Sequence, residues 1–254
     1  MENSLAGKIA IISGSDSGIG AQIARELSDF GATVIINYPF AEQVLIDRAA
    51  AVVAGLKSPG IAVQADISTI TGPQILVDAA VAAYGRIDIL VNNAGIAVNI
   101  PFEEQNLEHW DSLVNLNGRG TFLLTQAALP HLAPKSRIVN ICSISAREAP
   151  ALQTIYAGTK GMVDAFTRVW AKELPAKYGC TVNAVSPGPT ATEGFGAAGE
   201  EFMKLMKPVM DKTPVGPRLG ETNEVAYAVL MLCLPRASWM NGVNVNVCGG
   251  LFMQ

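Results

Sequence analysis

The chain has 254 residues, 50% of them apolar and only 16% charged, with 18 basic against 22 acidic residues and a formal net charge of -4. That length suits one α/β domain around a single large core, and so apolar a composition excludes a disordered chain. The longest unbroken apolar stretch, Val225 to Leu234, is about half the length of a bilayer-spanning helix, and no Lys/Arg stripe could follow a phosphate backbone, so neither a membrane nor a nucleic acid is expected as a partner.

Lys8 to Ser13 is a short apolar run that stops at Gly14, and a helical pattern follows from Gly18 through Phe30. Val34 to Asn37 reads as a second strand, Val44 to Leu56 as an Ala-rich helix, and Ile61 to Ala65 as a third strand ending at Asp66. A helix over Ile75 to Tyr84 leads to a strand at Ile87 to Val91, then a long helix over Leu107 to Leu132 and a strand at Arg137 to Ile141. Thr154 to Tyr178 and Thr181 to Val185 form the next helix and strand, and a helix over Glu221 to Leu234 precedes a last strand, Val243 to Val247. Strands that are apolar on both faces and alternate with helices imply a parallel sheet covered on both sides, because right-handed crossovers lay helices over each face. The expected fold class is α/β, a doubly wound, Rossmann-like parallel sheet of about seven strands in one domain spanning 1-254.

One segment breaks the alternation. Ser186 to Leu219 is rich in Gly, Pro and Thr and too long for a mere connector. Its Phe195, Phe202, Met203, Leu205, Met206, Val209 and Met210, with a short helix over Phe202 to Met210, predict a flexible apolar lid suited to a bulky hydrophobic molecule. Four widely spaced cysteines, Cys142, Cys180, Cys233 and Cys248, make no CxxC pair and no ligand cluster with His109 or His131, so they read as buried small hydrophobes and no metal is expected. Met1 to Lys8 carries no apolar signal core, which predicts a cytoplasmic protein with reduced thiols.

The first strand-to-helix turn is Gly14-Ser15-Asp16-Ser17-Gly18-Ile19-Gly20, whose glycines let backbone amides at a helix N-terminus approach a pyrophosphate. No Lys-Ser/Thr pair follows, which excludes a mononucleotide P-loop. Tyr156 and Lys160 are four apart at the start of a predicted helix and share one face. Ser143 lies just past a strand end, where α/β sheets present ligand-binding groups. Together the two hydroxyls and the ammonium describe a site for carbonyl reduction. Lys160 would draw the phenol toward working pH, Tyr156 would pass the proton, and Ser143 would hydrogen-bond the substrate oxygen as charge develops. The hydride must come from a cofactor.

In these ordered patterns the chain resembles the single-domain short-chain dehydrogenases/reductases from about Gly7 to Gly250. Ser13-Gly14-x-x-x-Gly18-Ile19-Gly20 is similar to the family's cofactor turn, Asp66 to its adenine contact, Asn92-Asn93-Ala94-Gly95 to its post-strand segment, and Tyr156-x-x-x-Lys160 to its catalytic pair, with Ser143 thirteen residues ahead of the tyrosine. Asn117 matches the asparagine whose carbonyl holds a water in the proton relay, with neighbouring Asn115 as the competing assignment. Pro187-Gly188 with Thr192 matches the segment that holds the nicotinamide carboxamide, and Thr190, within it, falls where an aliphatic residue is more usual. The resemblance also implies that Lys160 hydrogen-bonds the nicotinamide ribose and that the protein is a homo-oligomer, tetramer or dimer. Val247-Cys248-Gly249-Gly250 departs from the family's Asp-Gly-Gly ending.

An acid at the end of the second strand would bind a ribose 2'-hydroxyl and repel a 2'-phosphate. Here that place is held by Asn37, and Ser17 stands where NADP-dependent relatives often carry arginine; NADP(H) is favoured over NAD(H). The expected function is an NADP(H)-dependent oxidoreductase interconverting a ketone and a secondary alcohol on a bulky hydrophobic small molecule. The alternatives are an isomerase or cyclase using the same pocket, and a catalytically silent NADP-binding regulator.

Overall fold

The computed structural model describes residues 4–196 and 199–253. The first half runs β1 (Ile9–Ile12), α1 (Gly18–Asp29), β2 (Thr33–Tyr38), α2 (Gln43–Ala54), β3 (Gly60–Gln64), α3 (Gly72–Tyr84) and β4 (Ile87–Asn92). After it come α4 (Leu107–Leu113), α5 (Thr121–Ala128), β5 (Leu132–Ile141), α6 (Ser145–Glu148), α7 (Thr154–Glu173), α8 (Pro175–Tyr178) and β6 (Thr181–Pro187). The chain closes with β7 (Thr190–Ala191), α9 (Glu193–Gly196), α10 (Gly199–Asp211), β8 (Gly220–Glu221), α11 (Thr222–Cys233) and β9 (Asn244–Val247).

Seven strands form one parallel sheet in the order β3-β2-β1-β4-β5-β6-β9. The order reverses between β1 and β4, and the carboxyl ends on either side of that point open a crevice, the usual ligand position in such a sheet. One face of the sheet is covered by α1 and α11, where Ile23 and Leu27 pack with Val225 and Val229. The other is covered by α3, α5 and α7, where Leu76, Leu124 and Trp170 meet Ile11, Leu90 and Val182. All of these side chains are buried, which accounts for strands with apolar residues on both faces.

Two predicted helices are interrupted. Leu107 to Leu132 divides into α4, a π-helical turn over Val114–Gly120, α5 and a 3-10 turn over Leu129–His131; the last residue, Leu132, already belongs to β5. Close packing requires Gly120 of the π turn, where a Cβ would lie 2.6 Å from the Ile67 carbonyl oxygen, and at Gly118 a Cβ would displace the Met162 sulfur, 2.8 Å away. Glycine's weak helix propensity lets tertiary contacts reset the hydrogen-bond register here. The Thr154 to Tyr178 helix divides at Leu174, because Pro175 has no N–H to continue the ladder.

Within Ser186 to Leu219, α10 is longer than the predicted Phe202 to Met210 helix, and the two-stranded β7-β8 ladder pairs Thr190 with Gly220 and Ala191 with Glu221. The side chains of Phe195, Phe202 and Leu205 lie outside the described residues. Among the described residues no helix is long and apolar enough to cross a membrane.

Candidate active site

A cleft of about 1010 Å³ lies along the carboxyl ends of the strands at the reversal point. At one end is the β1-α1 turn. Gly14 and Gly18 have φ of 58° and 55°, left-handed values open to glycine at little strain. A Cβ on Gly20 would lie 2.3 Å from the Gly14 oxygen and 2.5 Å from Asn93 Nδ2, so the third glycine is what lets α1 start against the turn. Ser17 caps α1 without a side-chain hydrogen bond, and no acidic residue sits in its first turn. The first-turn amides and the positive helix end are left to the cleft, a fit for the pyrophosphate of a dinucleotide.

Asn37 and Asn93 shape this turn. Asn37 Oδ1 accepts from Gly14 N at 2.9 Å while its Nδ2 donates to the Ala65 carbonyl at 2.9 Å, and the residue is 1% exposed. Asn93 Nδ2 donates to the Ser13 and Gly14 carbonyls at 2.9 and 2.8 Å, and the Asn93 and Ala94 amides donate to Ser13 Oγ. Both asparagines line the cleft, yet their amide groups are occupied by the protein's own backbone. Asp66 also lines it, its Oδ1 accepting from the amide and hydroxyl of Ser68 at 2.9 and 2.7 Å. Thr192 closes over the turn from the other side, where its Cγ2 would be 3.5 Å from a Cβ on Gly18.

Ser143, Tyr156 and Lys160 converge at the middle of the cleft. Ser143 follows β5 and accepts from the Ser145 amide at 3.1 Å, and its hydroxyl neighbours the Tyr156 phenol. One turn along α7, Lys160 is 5% exposed, and its Nζ donates to the Ile141 carbonyl at 2.8 Å. A Cβ on Gly95 would come within 3.4 Å of that ammonium, so glycine keeps the space above it open. The phenol does not titrate as expected from the sequence. Burial pushes it above its ordinary value of 10.0, and the neighbouring Ser143 hydroxyl offsets only part of that. The Lys160 ammonium is held on the Ile141 carbonyl, and burial lowers the lysine's own pKa from 10.5.

Asn117 lies within the π turn and is 1% exposed. Its Oδ1 accepts from Ile96 N at 3.0 Å, and its Nδ2 donates to the Ile96 carbonyl and to Thr159 Oγ1 at 2.9 and 3.0 Å. The side chain thus ties the post-β4 segment to α7 behind the cleft, whereas Asn115 is among the residues that line it. Pro187 ends β6; Gly188 donates its amide to the Val247 carbonyl at 2.9 Å, and its own carbonyl accepts from Thr190 Oγ1 at 2.9 Å. Gly188 and Cys248 are in close contact, a Cβ on the glycine falling 2.9 Å from the cysteine's.

The far end of the cleft is apolar. Ile96, Pro150, Leu152, Met206 and Val209 line it, the last two from α10. Leu152 and Ala149 have φ of 70° and 53°, and this left-handed backbone at non-glycine residues marks a shaped segment between Ser143 and Tyr156 that composition alone does not reveal.

Comparison with known proteins gives a consistent answer. A family model described as Enoyl-(Acyl carrier protein) reductase matches residues 14–252. Short-chain dehydrogenase/reductase FrzI of Cladobotryum sp is 39% identical over 251 residues, 98% of this chain and 97% of its own. Hydroxynaphthalene reductase-like protein Arp2 of Metarhizium anisopliae is 35% identical over 261 residues, 97% of this chain and 96% of its own. Among solved structures, a short chain dehydrogenase from Burkholderia cenocepacia J2315 in complex with NADP superposes with a TM-score of 0.89 at 33% identity, covering 98% of this chain and 99% of that one. A blue fluorescent protein from a metagenomic library in complex with NADPH gives 0.91 at 33% identity, covering 98% and 100%. The chain belongs to the short-chain dehydrogenase/reductase family and is an oxidoreductase acting on CH-OH and C=O groups.

Proposed function

We infer that the protein uses NADP(H) to interconvert a ketone and a secondary alcohol on a bulky apolar substrate, with Tyr156 as general acid and base. The observation that carries this reading is the meeting of the Tyr156 phenol, the Ser143 hydroxyl and the buried Lys160 ammonium in one cleft with the uncapped start of α1. The nicotinamide supplies or accepts the hydride when bound.

In the reductive direction a substrate oxygen placed between the two hydroxyls accepts a hydrogen bond from Ser143 and the proton of Tyr156 as negative charge grows on it. Lys160 places a positive charge near the reacting oxygen, and Gly95 leaves room for a ribose against its ammonium. Asn117 acts by position, holding the Ile96 backbone and Thr159 of α7 in register. The α1 amides bind the pyrophosphate, Asp66 faces the adenine end, and Pro187, Gly188, Thr190 and Thr192 border the nicotinamide.

Preference for NADP(H) over NAD(H) is supported by the lack of a carboxylate at the end of β2, where Asn37 is turned inward, and by the NADP and NADPH held by the two structural relatives. The segment 186-219 acts as the lid, with Met206 and Val209 supplying apolar contact. The protein is further read as a cytoplasmic homo-oligomer, dimer or tetramer, supported by exposed Leu107, Trp110, Phe122 and Val169 on α4, α5 and α7.

Tyr156→Phe is the direct test. It removes the transferable proton and little volume, so NADPH-dependent reduction of a polycyclic ketone should fall roughly 100-fold or more while NADPH still binds. Undiminished turnover in that variant would overturn the assignment.

A further inference from the structure

A second cavity, of about 440 Å³, opens at the amino ends of the strands, on the opposite edge of the sheet from the catalytic cleft. Arg137 on β5 and Thr181 on β6 are register partners, so their side chains project to the same face of the sheet, and both line this cavity. Arg137 is only 5% exposed. Its Nη1 donates to the Lys135 and Ser136 carbonyls at 3.1 and 3.3 Å, and its Nη2 reaches the Leu234 carbonyl, at the end of α11, at 3.5 Å. Nothing pairs with its Nε, nor with the buried hydroxyl of Thr181.

Charge is unbalanced around these two groups. The nearby carboxylate, Asp88, is already matched by Lys8 at 2.8 Å and Arg86 at 2.9 Å. Among the described residues Arg137 and Lys135 make no ion pair with a carboxylate. Lys135 sits at the cavity mouth with φ of 65°, a left-handed conformation that an unbranched polar side chain adopts only under constraint. A guanidinium this buried, with hydrogen bonds only to neutral carbonyls and the Cys180 and Cys233 thiols beside it, is an arrangement proteins normally avoid, because a matching negative charge best offsets its desolvation.

We propose that this cavity is a binding site for a small organic anion, whose carboxylate or phosphate oxygens meet Arg137, Thr181 and Lys135 and whose short apolar body rests on Leu5, Ile89 and Pro235. The Nε-H and the Thr181 hydroxyl expose almost no surface, so the anion would reach them through a small shift of the Arg137 side chain that opens the cavity floor. Binding there stabilises the folded chain by mass action and requires no turnover.

Calorimetric titration of the full chain with inorganic phosphate and, separately, with butyrate tests the site in wild type, Lys135→Asn, Arg137→Met and Thr181→Val. Asparagine tolerates the left-handed backbone, and methionine keeps the apolar reach of arginine without its charge. Loss of one charge-assisted contact should weaken binding about tenfold or more in Lys135→Asn and Arg137→Met, with a smaller loss in Thr181→Val. Any phosphate held by the α1 turn is common to all four proteins and cancels from the comparison. If Arg137→Met fails to fold, the other two variants still decide. Equal affinities in wild type and every folded variant, or no binding of either probe beyond what the variants retain, would overturn the proposal. The catalytic assignment would be untouched by that result.

Discussion

Asn37 both withholds a carboxylate from the cleft and commits its own amide to the backbone around it. No carboxylate stands at the end of β2, but the amide there spans the Gly14 N–H and the Ala65 carbonyl. Asn37→Asp would therefore do more than alter cofactor preference. Replacing Nδ2 by an oxygen leaves the Ala65 carbonyl without its donor and buries a charge, so the variant should lose about 1–3 kcal/mol, visible as a lower melting temperature in both the presence and absence of NADPH. Tyr156 carries a separate consequence. Burial holds its pKa above 10.0, so the phenol remains protonated, the form needed to reduce a ketone, throughout the neutral range. Alcohol oxidation needs the deprotonated form, so its rate should climb with pH into the alkaline range while ketone reduction stays level and then falls; coincident profiles in the two directions would exclude Tyr156 as the titrating group. The convergence of Ser143, Tyr156 and Lys160 on one cleft is legible from their spacing, because residues four apart share a helix face and a strand end lies at the same sheet edge. The inward turn of Asn37 and the direction of the Lys160 ammonium are not, since both depend on backbone carbonyls brought in from other strands.

Arg218 and Glu224 tie the end of the segment 186-219 to α11. Glu224 in α11 accepts from both terminal nitrogens of Arg218 at 2.8 and 2.7 Å and from the Glu221 amide at 2.7 Å. These hydrogen bonds hold the Glu224 carboxyl at about 2, below its ordinary 4.5. A carboxylate depressed in the folded state contributes stability above its unfolded pKa and loses it as pH falls through the folded value. Acidification from 4.5 toward 2 should therefore loosen this end of the segment, seen as weaker hydrogen-exchange protection of the amides around Glu221 relative to the core strands, and Glu224→Gln should flatten that dependence. Because the pair is largely exposed, its effect on global stability should be small. Strand positions were read to within a few residues because burial on both faces leaves continuous apolar runs. The π turn at Val114–Gly120 escaped periodicity because the residues on either side keep the same apolar face, and only the contacts of Gly118 and Gly120 with Met162 and Ile67 reveal why the ladder slips.

Taken whole, the molecule leaves large apolar side chains in water on α4, α5 and α7: Leu107 is 79% exposed and Trp110 52%. A second copy of the chain is the expected cover, and light scattering should give a mass at least twice the 26.7 kDa of the chain, with Trp110→Glu shifting it downward. A single-chain mass for the wild type would remove the oligomer reading. The parallel sheet and its order of alternation were legible along the whole length, since each helix-strand repeat is long enough to show its own pattern. The cavity around Arg137 was not, because an arginine at the start of a strand looks like an ordinary solvent-facing residue until Leu234 and Thr181 are brought around it.

The short β7-β8 ladder pinches the two ends of the inserted segment together at its neck. Described parts of the segment also touch the body of the protein, with Val215 N donating to the Gly249 carbonyl at 3.1 Å, and the clasp sets where the segment leaves β6 and rejoins α11. A segment tethered at both ends beside the cleft is a natural unit to exchange when new specificities are sought.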